Sequence, residues 1–164
     1  LMLAAENDHK EICKLLLERG ADIEVTNEEG WTVLMMVSGN GNEKICKLLL
    51  DRGANIQATD INGMTALMYA ASVGNKNMCK LLLSNGANIE EVNEDGWTPL
   101  MHVAVSGHEE ICNLLIDKGA NIEAADIEGI TILMKAAENG NIVICEFVSE
   151  RIQKLILKDS QIAY

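Results

Sequence analysis

The chain is poor in aromatic side chains: two Trp, two Tyr and one Phe make up 3% of its 164 residues. A single globular core leans on large rings, so their scarcity argues for many small, similar layers. Proline occurs once, and no Pro-rich or Gly/Ser-rich stretch interrupts the chain, which excludes a flexible linker. No apolar run reaches the roughly 18 residues that a membrane-spanning helix needs. Basic residues are scarce as well, with 13 Lys and Arg against 25 Asp and Glu, a formal net charge of −12. That field repels a phosphate backbone or an anionic membrane, so neither nucleic acid nor membrane is expected as a partner. It favours a basic or mixed apolar protein, although acidity also serves simply to keep a helical stack soluble. The stretch from Leu1 has no basic-then-apolar pattern, so it is not expected to be a secretory leader.

What the chain does have is self-similarity. Cys13, Cys46, Cys79, Cys112 and Cys145 recur every 33 residues. Gly20, Gly53, Gly86 and Gly119 keep the same step, as do Gly30, Gly63, Gly96 and Gly129, and again Gly41, Gly74, Gly107 and Gly140. Thr32, Thr65, Thr98 and Thr131 follow it, and so do Met2, Met35, Met68, Met101 and Met134. A period of this length marks a stack of equivalent units.

Within one period the physics is legible. Thr32 is placed to cap a helix by accepting a backbone N–H. Leu34, Met35 and Val37 form a short apolar helix, and Gly41 permits the positive φ needed to leave it. A second helix is expected over Glu43 to Arg52, with Ile45, Cys46, Leu48, Leu49 and Leu50 apolar and Lys44 and Lys47 on its wet side. Gly53 stops it, and Ala54 to Gly63 is expected to be extended, ending in an Asp-x-x-Gly turn. Helices this short are marginal alone in water and persist only by burying their apolar faces against the next unit.

The strings Gly96-Trp97-Thr98-Pro99-Leu100-Met101 and Gly119-Ala120-Asn121-Ile122 resemble the ankyrin repeat signature. The resemblance spans roughly residues 1–150. It implies an all-α solenoid of stacked antiparallel helix pairs with projecting β-hairpin loops, or fingers. It also implies protein–protein recognition on the concave side, through the finger tips and first helices. One domain over 1–164 is expected: a partial first repeat at 1–26, full repeats at 27–59, 60–92 and 93–125, and a last repeat with a capping helix at 126–164. Leu1-Met2 aligns with Leu34-Met35, so the chain is expected to continue upstream. The signature His of the family is Met at 35, 68, 101 and 134; without its bond between repeats a softer stack is expected. The position that carries a hydroxylated Asn in some relatives holds Glu24, Gln57, Glu90 and Glu123, so that modification is not transferred.

At the C-terminal end Ile152 stands where the next stop glycine would fall. Ile144, Phe147, Val148, Ile152, Leu155 and Ile156 continue at helical spacing, which predicts a longer closing helix to roughly Leu157. Two readings stay open for it: a cap over the end of the stack, or a face that docks a following domain.

Catalytic and metal chemistry find little support. Cysteines 33 apart lie in successive layers roughly 10 Å apart, too far for a disulfide, which needs Cα atoms within about 7 Å, or for one metal ion, whose ligands all sit near 2 Å from it. They read as small core residues, and five free thiols suggest a reducing, intracellular and cytoplasmic setting, with the nucleus also open. His9 and His108 fall at the turn between helices, and His102 at a first-helix surface position. No nucleophile–base set converges from these places, so no enzyme activity, no cofactor and no metal is expected.

Slots that vary between repeats are free of the packing demand and can encode a partner. The tips read Glu28-Glu29-Gly30-Trp31, Ile61-Asn62-Gly63-Met64, Glu94-Asp95-Gly96-Trp97 and Ile127-Glu128-Gly129-Ile130, alternating with a step of 66. The exposed first-helix slots are expected at Leu3/Glu6/Asn7, Met36/Gly39/Asn40, Tyr69/Ser72/Val73, His102/Val105/Ser106 and Lys135/Glu138/Asn139. The candidate partner-binding residues are therefore Trp31, Met36, Met64, Tyr69, Val73, Trp97, His102, Val105, Glu28, Glu29, Glu94 and Asp95. Rim tryptophans serve as interface anchors or pack on the neighbouring repeat, and both readings stay open. The expected partner is another protein, a segment with apolar anchors and Lys/Arg flanks, bound by a monomer. A substrate-recruiting adaptor in larger machinery and a structural spacer are the alternatives.

Overall fold

Threonine hydroxyls start four of the helices. Thr32, Thr65, Thr98 and Thr131 Oγ1 accept the backbone N–H of Met35, Met68, Met101 and Met134 at 3.3, 3.3, 3.4 and 3.4 Å. This satisfies one of the donors that a helix N-terminus leaves without a partner. The computed structural model describes the backbone of residues 1–162 and the side chains of residues 1–158. Its helices run in pairs: α1 (Met2–Glu6) with α2 (Lys10–Glu18), α3 (Val33–Asn40) with α4 (Glu43–Asp51), and α5 (Ala66–Ser72) with α6 (Lys76–Ser84). Then follow α7 (Pro99–Ser106) with α8 (Glu109–Asp117), and α9 (Ile132–Glu138) with α10 (Ile142–Ile162). First helices pack on first helices, α1 on α3, α3 on α5, α5 on α7 and α7 on α9, and the second helices do the same. The fold is an all-α solenoid.

One apolar seam runs through it. Leu34, Met35, Ile45 and Leu49 of the second pair, Leu67, Met68, Met78 and Leu82 of the third, and Leu100, Met101, Ile111 and Leu115 of the fourth are each 3% exposed or less. Cys13, Cys46, Cys79 and Cys112 are fully buried and Cys145 is half-buried; all five are free thiols. Burial pushes the thiols of Cys46, Cys79 and Cys112 up to about 12, and that of Cys13 upward as well. Thiols held protonated at neutral pH are poor nucleophiles.

Polar ties cross the seam at both ends of the helices. Asn42 Nδ2 donates to Ala5 O at 3.2 Å, His108 Nε2 to Ser72 O at 3.2 Å, and Asn141 Nδ2 to Ala104 O at 2.7 Å. In the loops after the second helices, Glu24 Oε1, Gln57 Oε1 and Glu90 Oε1 accept the backbone N–H of Asn55, Asn88 and Asn121 at 2.7, 3.2 and 2.7 Å. These long-range bonds tie successive repeats through polar groups. The methionine in the signature-His slot is not inert either, because Met35 Sδ and Met68 Sδ receive the backbone N–H of their own capping Thr32 and Thr65, at 3.4 and 3.5 Å.

Several expectations are corrected. Ala54 to Gly63 is not extended but a chain of turns, because Asn55 and Asp60 Oδ1 take the N–H groups of Gln57 and Asn62 at 3.0 and 2.8 Å. The hairpin fingers shrink to single antiparallel bridges, Thr26 with Thr32, Thr59 with Thr65 and Ala125 with Thr131. The second helix of that unit ends at Asp51, one residue early. The closing helix runs to Ile162, past Leu157, since neither Gly nor Pro interrupts it. Its inner side buries Ile144 and Val148, while Ile142, Val143 and Leu155 remain open to solvent. Met134, in the slot where Met35, Met68 and Met101 are buried, is 55% exposed, because no described element packs on the outer side of α9. Among the described residues no helix is long and apolar enough to cross a membrane.

The glycines separate local from long-range demands. Gly63 has φ +76, and a Cβ there would lie 2.9 Å from Glu94 N and 3.0 Å from Asn93 Cα, in the backbone of the next finger. Gly53 has φ +85 with open space around it. Gly53→Ala should therefore cost about 1–2 kcal/mol, the left-handed penalty alone, and Gly63→Ala clearly more, as read from urea midpoints of the two variants. In a thiol-reactivity assay on the native chain Cys145 should label first, with the other four following only on unfolding.

Candidate functional site: the finger row and first-helix face

Each finger is a tight loop closed by one side chain. Asn27, Asp60, Asn93 and Asp126 Oδ1 accept the backbone N–H four residues on, from Trp31, Met64, Trp97 and Ile130, at 2.8, 2.9, 2.8 and 2.8 Å. Adjacent fingers are joined by backbone bonds: Ile61 N donates to Glu29 O at 3.2 Å, Glu94 N to Asn62 O at 3.0 Å and Ile127 N to Asp95 O at 3.2 Å. The tips thus form a continuous row whose backbone polar groups are partly used up, leaving the side chains to do the recognition.

The finger base alternates between Asn and Asp, and the structure explains why. The second oxygen of Asp60 accepts the Tyr69 hydroxyl, and that of Asp126 accepts the Lys135 ammonium at 2.6 Å. The side chains of Lys135 and Asp126 are 6% and 5% exposed. Each carboxylate is matched by a donor nine residues on, in the first-helix slot. The Asn27 and Asn93 units carry Met36 and His102 in that slot instead. A buried carboxylate without such a donor would be costly, so Asp at the base and Tyr or Lys nine residues later belong together. Burial, and then the neighbouring Asp60, raise the Tyr69 phenol above its ordinary range. The Lys135 hydrogen bond lowers the Asp126 carboxyl below 3.8.

The rings fill the space between fingers and helices. Trp31 lies against Tyr69 with centroids 4.6 Å apart and planes at 56°. Trp97 lies against His102 at 5.2 Å, and Lys135 Nζ sits 3.7 Å from the centroid of its ring. Such a cation over an indole face is attractive. Both tryptophans are therefore half-buried spacers between repeats, and their packing role is the one seen here. The first-helix slot is also less open than expected. Leu3 is exposed, Met36, Tyr69 and His102 are half-buried, and Lys135 is buried. His102 is not a surface residue: its Nε2 is buried without a hydrogen-bond partner among the described residues. Burial, reinforced by the nearby Lys135, lowers its pKa to about 4.

Of the twelve candidates, Glu28, Glu29, Glu94, Asp95 and Val73 are exposed, and Trp31, Met36, Met64, Tyr69, Trp97, His102 and Val105 are half-buried. The fully open apolar groups on the row are Ile61 and Ile127, 61% and 72% exposed, which the candidate set omitted. The 66-residue alternation of the tips was the available signal for them. A shallow depression of about 320 Å³ lies between the last two fingers, lined by Asp95, Trp97, Asp126, Ile127, Lys135 and Glu138 among others. Of its polar side chains, Asp126 and Lys135 are engaged with each other. Among the described residues no three His, Cys, Asp or Glu side chains are grouped to hold a metal ion.

The His102 and Asp126 shifts make stability depend on pH in two windows. The folded pKa of His102 lies below its unfolded value of 6.5, so the unfolded chain takes up the proton first and stability falls as pH drops from 6.5 to about 4. The loss is on the order of 3 kcal/mol. The depressed Asp126 adds a further loss below 3.8. In melts at stepped pH, His102→Met, which copies the Met36 unit, should flatten the upper window and leave the lower one in place.

A family model of ankyrin repeats (3 copies) matches residues 1–93 and 85–159. A search of curated proteins found no match. The match covers nearly the whole length, on a solenoid of short helix pairs joined by a finger row, and the chain belongs to the ankyrin repeat family.

Proposed function

We propose that the chain is a non-catalytic scaffold that binds a segment of another protein along its finger row and the adjoining first-helix face. Ankyrin repeats are protein–protein interaction modules. The observation that carries the finer reading is the alternation of the tips. Glu28-Glu29, then Ile61, then Glu94-Asp95, then Ile127-Glu128 stand exposed in one backbone-linked row. A matching partner presents Lys or Arg, then an aliphatic or aromatic side chain, at a step of one repeat, roughly the spacing of packed helices. Val73 adds an open apolar group on the first-helix face, at the end of α5 away from the fingers. The charge of −12 steers such a segment in and disfavours nucleic acid and anionic membranes. The chain acts as a monomer inside the cell, a setting in keeping with its five free thiols.

The half-buried rings are poor places to test this, since removing Trp31, Tyr69 or Trp97 opens the packing between repeats. Ile61 and Ile127 are open and can be changed without that damage. Peptides selected from a random display library on the native chain should be enriched in Lys/Arg flanking apolar residues. Their affinity should fall about tenfold or more on Ile61→Ser with Ile127→Ser, since each lost anchor removes on the order of 1.5–3 kcal/mol, with melting temperature nearly unchanged. Selected basic peptides that bind the double variant undiminished would exclude this face.

A further inference from the structure

In the first four helix pairs a glycine ends the second helix, and a short loop then turns back: Ala21-Asp22-Ile23, Ala54-Asn55-Ile56, Ala87-Asn88-Ile89 and Ala120-Asn121-Ile122. Each later loop lies beside the one before it, its backbone N–H accepted by Glu24, Gln57 or Glu90. Among the described residues there is no fifth loop of this kind. Ile152, Gln153 and Leu155 occupy the places corresponding to Gly119, Ala120 and Ile122, and α10 simply continues through them. The fourth loop therefore has α10, and no loop among the described residues, as its neighbour on that side. Glu123, which continues the series of Glu24, Gln57 and Glu90, accepts no backbone N–H from α10 among the described residues.

Between the fourth loop and α10 this leaves a groove of about 390 Å³. Ile116, Ala120 and Ile122 form one wall and Leu155, 47% exposed, the other. The rim is basic. Arg151, Lys154 and Lys158 stand at i, i+3 and i+7 on α10, so they share one side of the helix. Arg151 pairs with Asp117 at 2.7 Å, Lys154 is only 3.9 Å from Glu150 with its side chain 72% exposed, and Lys158 makes no ion pair among the described residues. In a chain with 13 cations and 25 carboxylates, three cations around one apolar groove are a local reversal of sign.

We propose that this groove is a second interaction site, opposite in charge to the finger row, and that it takes a short acidic segment of another protein. The segment lies where a fifth loop would lie. An aliphatic side chain enters between Ile116, Ile122 and Leu155, and flanking Asp or Glu residues meet Lys154, Lys158 and Arg151. The site is independent of the finger row, so a chain using both would link a basic segment to an acidic one.

The test pans the Ile61→Ser, Ile127→Ser variant, whose finger row is disabled, against a random dodecamer display library. The expected result is a class of peptides with Asp or Glu around Ile, Leu or Val. A representative synthetic member should bind at least about tenfold more weakly to Lys154→Glu with Lys158→Glu, and more weakly as salt is raised. It should also shift the methyl resonances of Ile116, Ile122 and Leu155. Both lysines are exposed, so the double variant should fold normally, as its melt will check. Recovery of no acidic class, or acidic peptides that bind the double variant equally well, overturns the proposal. So does self-association of the native chain that vanishes in Lys154→Glu, Lys158→Glu, which would give the groove to a second copy. Failure of the finger-row reading is seen separately, in the basic peptides selected on the native chain.

Discussion

Everything in this molecule depends on apolar contact between successive helix pairs. The first helices are five to eight residues long and the second helices, before α10, nine. Helices of that length do not hold in water by their own hydrogen bonds, because nucleation is unfavourable and few propagation steps repay it. Their stability comes from Leu49, Met78, Leu82, Ile111 and Leu115 closing against the neighbouring layer. The layers are the same because the same slots must be filled each time. This is why Cys, Gly, Thr and Met keep one step over the chain.

Around that seam a second, polar layer fixes the register. The capping threonines set where first helices begin, Asn42, His108 and Asn141 at second-helix N-termini tie their layers to carbonyls of the previous one, and the Glu/Gln ladder joins the loops. These bonds are directional, whereas apolar contact is not, so they settle spacing and leave the driving force to burial. The finger row inherits its order from this register. Its tips stand in line because the layers beneath them do, and the alternation of acidic and aliphatic tips becomes a pattern in space.

The face and its limits were unevenly legible. The exposed carboxylates Glu28, Glu29, Glu94 and Asp95 were visible as variable polar tips. The pairing of Asp60 with Tyr69 and of Asp126 with Lys135 was not, although both residues of each pair lie nine apart. A Lys in a variable slot reads as solvated unless the carboxylate that buries it is known to be there. His102 was misplaced for the same reason. Its burial is created by Trp97 and by Lys135 of the next pair, neither of which shows at the position itself.

The sequence alone determined the period, the helix starts at threonine, the stops at glycine and the all-α solenoid, because these rest on local backbone chemistry and on a pattern repeated in every layer. Tertiary structure alone decided which variable residues are open. Two methionines in the same slot, Met68 and Met134, end fully buried and 55% exposed, since exposure is a property of the neighbour on the far side. It likewise decided that α10, running on where a loop should turn, leaves a basic-rimmed groove beside the fourth loop. That groove depends on what does not pack there, and no residue by itself encodes it.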